Sequence, residues 1–315
     1  MGVMIGGVYH VEDPAPDTTL DGEFRRQAST IRNDLPDGPF EAGRFHLYAA
    51  WNCPWAHRVL LTRAVKGLED VITVAYARPR RTPDGWVYDE DGTFSDPLFG
   101  ATALHQVYSK VDPSYTGRIT VPLLWDRLEN RAVSNESADL VRILGSLEGY
   151  GSNLAPPDNL DQIDEWNAKI YPRLNNGVYR AGFARTQKAY EAGFHDVFAM
   201  LDEIETHLAT NRYLCGDTLT EADLRLFPTL ARFDVAYHYA FRCNLRRLID
   251  YPNLWGYARD LYSRPEIAQT VKLDIYKTGY FSPSELRNPL GIVPLGPDID
   301  WSVPHDRHEL TAAAS

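Results

Sequence analysis

The segment Trp51-Asn52-Cys53-Pro54-Trp55-Ala56-His57-Arg58 constrains the fold more tightly than any other stretch of the chain. Ahead of it, residues 44–50 alternate apolar and polar side chains and read as a β-strand. Behind it, Val59 to Val65 places apolar residues at helical spacing, and Gly67 stops the run. Pro54 suits the first helical position, where its missing N–H would have no partner. Cys53 then stands at the helix start, facing free backbone N–H groups and the positive end of the dipole. Such a setting moves a cysteine pKa from about 8.5 to roughly 3.5–7.5, which yields a nucleophilic thiolate at neutral pH. The position that a Cys-x-x-Cys pair gives to its second cysteine is Ala56 here. A disulfide on Cys53 must therefore be resolved by an external thiol, and a small tripeptide-like thiol is the candidate. The alternative is a buried structural cysteine that merely begins a helix, and the strand–Cys-Pro–helix context favours the reactive one.

Charge and composition exclude several classes. Lys and Arg number 32 against 43 Asp and Glu, a net charge of −11, which argues against nucleic acid or an anionic membrane as partner. No apolar run approaches the ~20 residues of a membrane span. The first ten residues lack the blocks of a signal peptide. The 3 cysteines, Cys53, Cys215 and Cys243, are too few for a disulfide framework and fit a reducing cytoplasm, with the latter two as bystanders. His305-x-x-His308 has no cysteine or carboxylate ligand in a helical frame, so no metal site is expected.

Residues 1–43, with Pro14, Pro16, Pro36 and Pro39, read as an extended arm over the body. Residues 44–146 form one domain: strand 44–50, helix 54–66 and strand 71–77 make a βαβ unit. An insertion at 78–117, rich in proline, glycine, Asp and Tyr, reads as a long structureless loop of functional interest. Residues 118–126 return to strand chemistry. Within them Thr120-Val121-Pro122 resembles the cis-proline turn of thioredoxin-like folds, since proline in a strand belongs to an edge or bend. Arg131 to Ser134 is a last strand, and Ser134 or Asn135 is placed to cap a helix from Glu136-Ser137 to about Leu144. Residues 145–160 are a linker. Beyond it, 159–281 is helical almost throughout, over 159–177, 186–210, 220–241, 245–263 and 265–273, with a capping box at Thr220-x-x-Asp223. The tail, 282–315, reads as irregular.

The βαβ unit with Cys53-Pro54, the Val121-Pro122 turn, the closing Glu136-Ser137 helix and the all-helical second half together resemble the glutathione transferase fold: a thioredoxin-like α/β domain followed by an all-α domain. Omega-class members carry Cys-Pro-Phe/Tyr-Ala, whereas Cys53-Pro54-Trp55-Ala56 is similar to the Xi class, the glutathionyl-hydroquinone reductases. Asn175-Asn176-Gly177-Val178-Tyr179, Leu219 to Asp223, Arg232-Phe233-Asp234, Tyr280-Phe281, the insertion and the tail support this likeness across nearly the whole chain.

The resemblance implies Cys53 as nucleophile and Trp86, Arg118, the Val121 backbone, Glu136 and Ser137 as the glutathione site. It implies Tyr179 as the proton donor and acceptor, with Tyr237 and Tyr280 helping to keep the cysteine ionised. These roles suit the chemistry. A strand-like backbone pair at Val121 can hold the cysteinyl unit. Glu136 can meet the ligand's α-ammonium, Ser137 its α-carboxylate, and Arg118 adds a charge-assisted donor. Each also has a structural alternative: loop packing for Trp86, a surface charge for Arg118, dipole compensation for Glu136, plain packing for any tyrosine. His57, one turn beyond Cys53, reads as a packing or capping residue rather than a base. The implied activity is glutathione-dependent reduction of glutathionyl-hydroquinones, on small quinone or hydroquinone thiol conjugates, by a homodimer. An omega-like thiol transferase or dehydroascorbate reductase and a non-catalytic binding module are the competing readings. Nothing in the residues decides against mycothiol or γ-glutamylcysteine as the thiol.

Overall fold

The computed structural model of the protein describes residues 2–13, 17–36, 38 and 40–312. Pro14, Pro16 and Pro39, assigned to the arm from sequence, lie outside the described residues. The arm opens with a hairpin, β1 (Val3–Ile5) and β2 (Val8–His10). The βαβ unit follows as β3 (Phe45–Ala49), α1 (Pro54–Val65) and β4 (Ile72–Tyr76), with β3 and β4 parallel. Gly67 takes the left-handed backbone (φ 65°) that ends α1 without a Cβ clash.

The insertion is not structureless. It contains α2 (Leu104–Val111) and ends in β5 (Gly117–Arg118). Leu104, Val107 and Tyr108 are buried at helical spacing, a periodicity that the surrounding proline, glycine and Asp residues obscure. Residues 118–126 are likewise not one strand. β5 pairs with β1, whereas β6 (Leu123–Asp126) pairs antiparallel with β3. Between them the Val121–Pro122 peptide is cis, as the turn suggested. β7 (Arg131–Ser134) completes, among the described residues, a four-stranded sheet ordered β4-β3-β6-β7. α3 (Ser137–Gly145) then packs beside α1. Its cap is Glu136, whose carboxylate accepts the Ala138 N–H at 2.9 Å, and not Ser134 or Asn135. Those two are committed elsewhere: the Ser134 hydroxyl accepts the Glu136 N–H, and the Asn135 side chain binds the arm at Ile31 and the Tyr108 hydroxyl.

The second half is helical but more broken than its periodicity implied. α4 (Leu160–Ile170) passes through a π-helical turn, Tyr171–Asn175, into α5 (Gly177–Gly182). α6 (Gln187–Leu208) follows. α7 (Glu221–Arg232) runs through a second π-helical turn, Phe233–Tyr237, into α8 (His238–Ala240). α9 (Pro252–Tyr262) begins at a proline, later than the expected 245. α10 (Pro265–Ala268) is short, and α11 (Leu273–Tyr280) lies where no helix was expected. At the start of α7, the Asp223 carboxylate accepts the Thr220 N–H at 2.9 Å, the expected half of the capping box. The tail is irregular until α12 (His308–Ala312). It is nonetheless tied down: Trp301 is buried against Trp255 and Phe227, and Arg307 donates to the Leu208 carbonyl at 2.6 Å.

Helix α1 joins the two halves. Ala56, Val59 and Leu60 enter the core of the sheet, while Leu61 enters that of the helices. Its polar residues pin the same joint. Arg58 donates to Asn175 Oδ1 at 2.6 Å, and Arg232, buried on α7, donates to the Trp51 carbonyl at 2.8 Å and to Asn52 at 3.3 Å.

Candidate active site

Strand β3 delivers the chain to a turn in which the Cys53 N–H donates to Ala50 O at 3.0 Å. Cys53 has extended backbone at the N-cap of α1, Pro54 takes the first turn, and the His57 N–H closes on Cys53 O. The sulfur lies 3.5 Å from the Val121 carbonyl and lines a cavity of about 310 Å³. Although only 8% exposed, Cys53 is thus open to that cavity.

Two faces meet across this space. Trp86, Thr120 and Val121 form one, with the Arg81 guanidinium 4.1 Å from the Trp86 ring. Tyr179 and Tyr280 form the other; Tyr237, which does not line the cavity, hydrogen-bonds Tyr280 and packs edge-on against Tyr179. The Tyr179 and Tyr280 hydroxyls are 2.7 Å apart, and those of Tyr237 and Tyr280 3.0 Å apart. Burial raises the pKa of all three phenols, so each is protonated and able to donate at neutral pH. For Tyr179, the Arg26 cation opposes that rise while a negative charge on Cys53 adds to it. Tyr179 follows the first π-helical turn and Tyr237 ends the second, so both depend on departures from regular helix. Tyr280 closes α11 beside Gly279, where any Cβ would collide with the Asn52 side chain.

The remaining expected ligand residues sit apart. Arg118 borders a smaller hollow of about 80 Å³ that shares Phe24, Arg26 and Thr120 with the main cavity. Its guanidinium is paired with two arm carboxylates, Asp13 at 2.8 Å and Asp17. Glu136 and Ser137 line neither space; Glu136 is engaged as the cap of α3, and the buried Ser137 hydroxyl lies 3.5 Å from its carboxylate. His57 is a packing residue. Arg232 donates to its Nδ1 at 2.9 Å, so the opposite nitrogen carries the proton toward Thr270 Oγ1 at 2.8 Å. Burial, then the Arg232 charge, holds its pKa well below the ordinary histidine value. Cys215 and Cys243 are buried outside the cavity, their thiols pushed up by burial to about 11 and about 12. Among the described residues no group of three or more His, Cys, Asp or Glu could hold a metal ion.

Residues not anticipated from sequence complete the enclosure. Phe24 and Arg26 come from the arm, Arg81 from the insertion, and Ser282, Pro283 and Arg287 from the tail. No local pattern marks them, because the fold alone brings positions 26, 81 and 287 together.

Comparison with known proteins places the chain. Residues 52–147 match the model of the glutathione S-transferase N-terminal domain, and residues 187–260 that of the C-terminal domain. The chain is 47% identical to the glutathionyl-hydroquinone reductase PcpF of Sphingobium chlorophenolicum, over 94% of this chain and 96% of that protein. It is 42% identical to the glutathionyl-hydroquinone reductase YqjG of Escherichia coli K12 over 98% of each. The glutathione-bound structure of YqjG matches with a TM-score of 0.83, covering 91% of this chain and 98% of that one. A Xi-class transferase structure from Natrialba magadii matches with a TM-score of 0.90 at 39% identity, covering 98% of this chain and 97% of that one. With a lone cysteine at the start of α1 facing paired tyrosines, and relatives of this likeness over its whole length, the chain belongs to the glutathione transferase family, in the Xi class of glutathionyl-hydroquinone reductases.

Proposed function

We propose that this protein reduces glutathionyl-hydroquinones to free hydroquinones at the expense of glutathione, through a mixed disulfide on Cys53. The reading is carried by one observation: Cys53 and the hydrogen-bonded pair Tyr179–Tyr280 face the same cavity, and Cys215 and Cys243 lie outside it. The Cys53 thiolate attacks the sulfur that joins the glutathionyl group to the ring. The sulfur–carbon bond breaks, its electron pair leaves with the ring carbon, and Tyr179 protonates that carbon. A carbon leaving group of this kind needs a positioned acid. The glutathionyl group remains on Cys53 as a disulfide. A second glutathione thiolate attacks its glutathione sulfur, freeing Cys53 and releasing oxidised glutathione, as suits a cysteine with no resolving partner.

In this scheme residues 44–146 bind the thiol, 159–281 supply the tyrosines, and the arm 1–43 and tail 282–315 close over both. Val121 and Trp86 border the peptide beside Cys53. Arg118, Glu136 and Ser137 would take its γ-glutamyl end along the adjoining hollow, with Arg118 leaving its arm carboxylates to do so. Tyr237 and Tyr280 hold Tyr179 and help to stabilise the thiolate through it. We take the enzyme to be a cytoplasmic homodimer; no described helix is long and apolar enough to cross a membrane. The protonated tyrosines favour this reading over an omega-like thiol transferase or dehydroascorbate reductase, since simple disulfide exchange has no ring carbon to protonate.

Mass spectrometry of the protein after exposure to a glutathionyl-hydroquinone tests the scheme. Cys53 should gain one glutathionyl group as hydroquinone appears, and Cys53→Ala should release none. A Cys53→Ser protein with full reductase activity would refute it. Parallel turnover with glutathione, mycothiol and γ-glutamylcysteine identifies the resolving thiol, and size-exclusion light scattering checks the dimer.

A further inference from the structure

Three guanidiniums, those of Arg26, Arg81 and Arg287, line the cavity of a protein whose net charge is −11. Among the described residues none of the three has an ion-pair partner, and the one lining carboxylate, Asp17, is taken by Arg118. Arg81 lies on Trp86, at the face assigned to the peptide. The other two lie on the tyrosine face. Arg26 stands 4.6 Å from the Trp55 ring and 4.7 Å from the Tyr179 ring. It donates through Nε to Asn176, and one terminal nitrogen is buried without a partner. Arg287 lies 4.1 Å from the Phe183 ring, which stacks on Tyr179 with centroids 5.9 Å apart. Partial desolvation lowers the Arg287 pKa, and the nearby Arg185, Arg81 and Arg242 cations lower it further. An anion in the cavity relieves that repulsion, and a planar carboxylate matches the guanidinium fork.

We propose that the ring side of this cavity selects hydroquinone conjugates whose ring bears a carboxylate, held by Arg287 and the free nitrogen of Arg26. The inference rests on the reductase reading and adds a substrate class to it. The aromatic faces of Trp55, Tyr179 and Phe183 take the ring, and the two cations take its carboxylate at the edge. The peptide's glycyl carboxylate belongs to the opposite face, beside Arg81, and its γ-glutamyl end to the adjoining hollow, which Arg26 also borders.

The test compares two probes: the glutathionyl conjugate of 2,5-dihydroxybenzoate and that of its methyl ester, which has the same ring without the charge. The wild-type protein should favour the acid in kcat/KM by about tenfold or more, the effect of a charge-assisted pair. Added salt should erode the preference. Arg287→Gln, a change at the cavity mouth, should bring the ratio toward one, and Arg26→Gln should do the same from inside. In Arg287→Gln, whose side chain does not border the γ-glutamyl hollow, the KM for free glutathione should move less than about threefold, separating the ring site from the peptide site. Equal turnover of acid and ester by the wild type overturns the inference and leaves the reductase reading standing. A preference that survives both substitutions, or a loss carried entirely by the glutathione KM, overturns it as well. No turnover of either conjugate overturns both.

Discussion

The phenolic oxygens of Tyr179 and Tyr280 lie 2.7 Å apart, so one of the two hydroxyls donates to the other. Tyr280 is also 3.0 Å from the Tyr237 oxygen. When Tyr280 donates to Tyr179, the Tyr179 proton is left free for a substrate in the cavity. Tyr179→Phe should then lower kcat on a glutathionyl-hydroquinone by about 10²–10⁴, the usual reach of general acid catalysis. Tyr280→Phe should cost about tenfold, the loss of one supporting hydrogen bond. Glutathione disulfide should still glutathionylate Cys53 in Tyr179→Phe. Wild-type turnover by that variant sinks the proton-donor assignment.

Thiol labelling should be selective. Burial raises Cys215 to about 11 and Cys243 to about 12, so at pH 8 each is thiolate in no more than about one molecule in a thousand. Iodoacetamide at pH 8 should modify Cys53 alone, with the other two reacting after unfolding. The same shifts act on stability. The unfolded chain loses these protons near its ordinary thiol value, about 8.5, while the folded chain keeps them. Stability should therefore fall as pH rises from about 9 toward about 11. Rapid labelling of Cys243 in the native protein contradicts its enclosure.

Acid should weaken the fold through two histidines. Burial lowers His46 to about 4 and holds His57 well below its usual value. Below about 6.5 the unfolded chain takes up protons that the folded chain refuses, so stability falls as pH falls. Each histidine steepens the decline toward about 1.4 kcal/mol per pH unit, with His46 saturating near 4. Urea unfolding at pH 7, 6 and 5 measures this, and His46→Asn should remove one proton's share. Equal midpoints across that range count against it.

Arg232 should couple stability to activity. Arg232→Met removes the donor shared by the Trp51 and Pro228 carbonyls and by His57 Nδ1. Relief of a buried charge offsets part of that loss. The net destabilisation should be about 2 kcal/mol or more, read from denaturant unfolding. Turnover should fall with it, because Arg232 also holds the Asn52 carbonyl, and Trp51 and Asn52 immediately precede Cys53. Unchanged stability and activity would show that Arg232 is dispensable to the joint.

The stretch 44–76 is legible in sequence because strand alternation, Pro54 at a helix start and the Gly67 stop are local signals. The 78–117 insertion is not, since α2 shows only as Leu104, Val107 and Tyr108 amid residues that signal turns. Helix periodicity marks 159–177 and 220–241 but cannot distinguish a π-helical turn from one more turn of α-helix. Cys53, Trp86, Val121, Tyr179 and Tyr280 gather at one cavity because each is set by the shared fold. Arg26, Arg81 and Arg287 escape sequence reading because their meeting depends on how the arm, the insertion and the tail fold back. The cap of α3 escapes it for another reason: the Asn135 side chain has competing partners in the arm and in α2, and the Ser134 hydroxyl is taken by the Glu136 N–H.

Phe24 and Arg26 stand near one extremity of the polypeptide, Pro283 and Arg287 near the other, and all four wall the space above Cys53. A chain in which only the first half has folded holds the nucleophile and the arm's share of this wall, but not the share of residues 283–287. The sulfur is then an ordinary reactive thiol, open to whatever oxidant or electrophile the surroundings hold. The enclosure is complete only when residues 282–287 lie across the cavity.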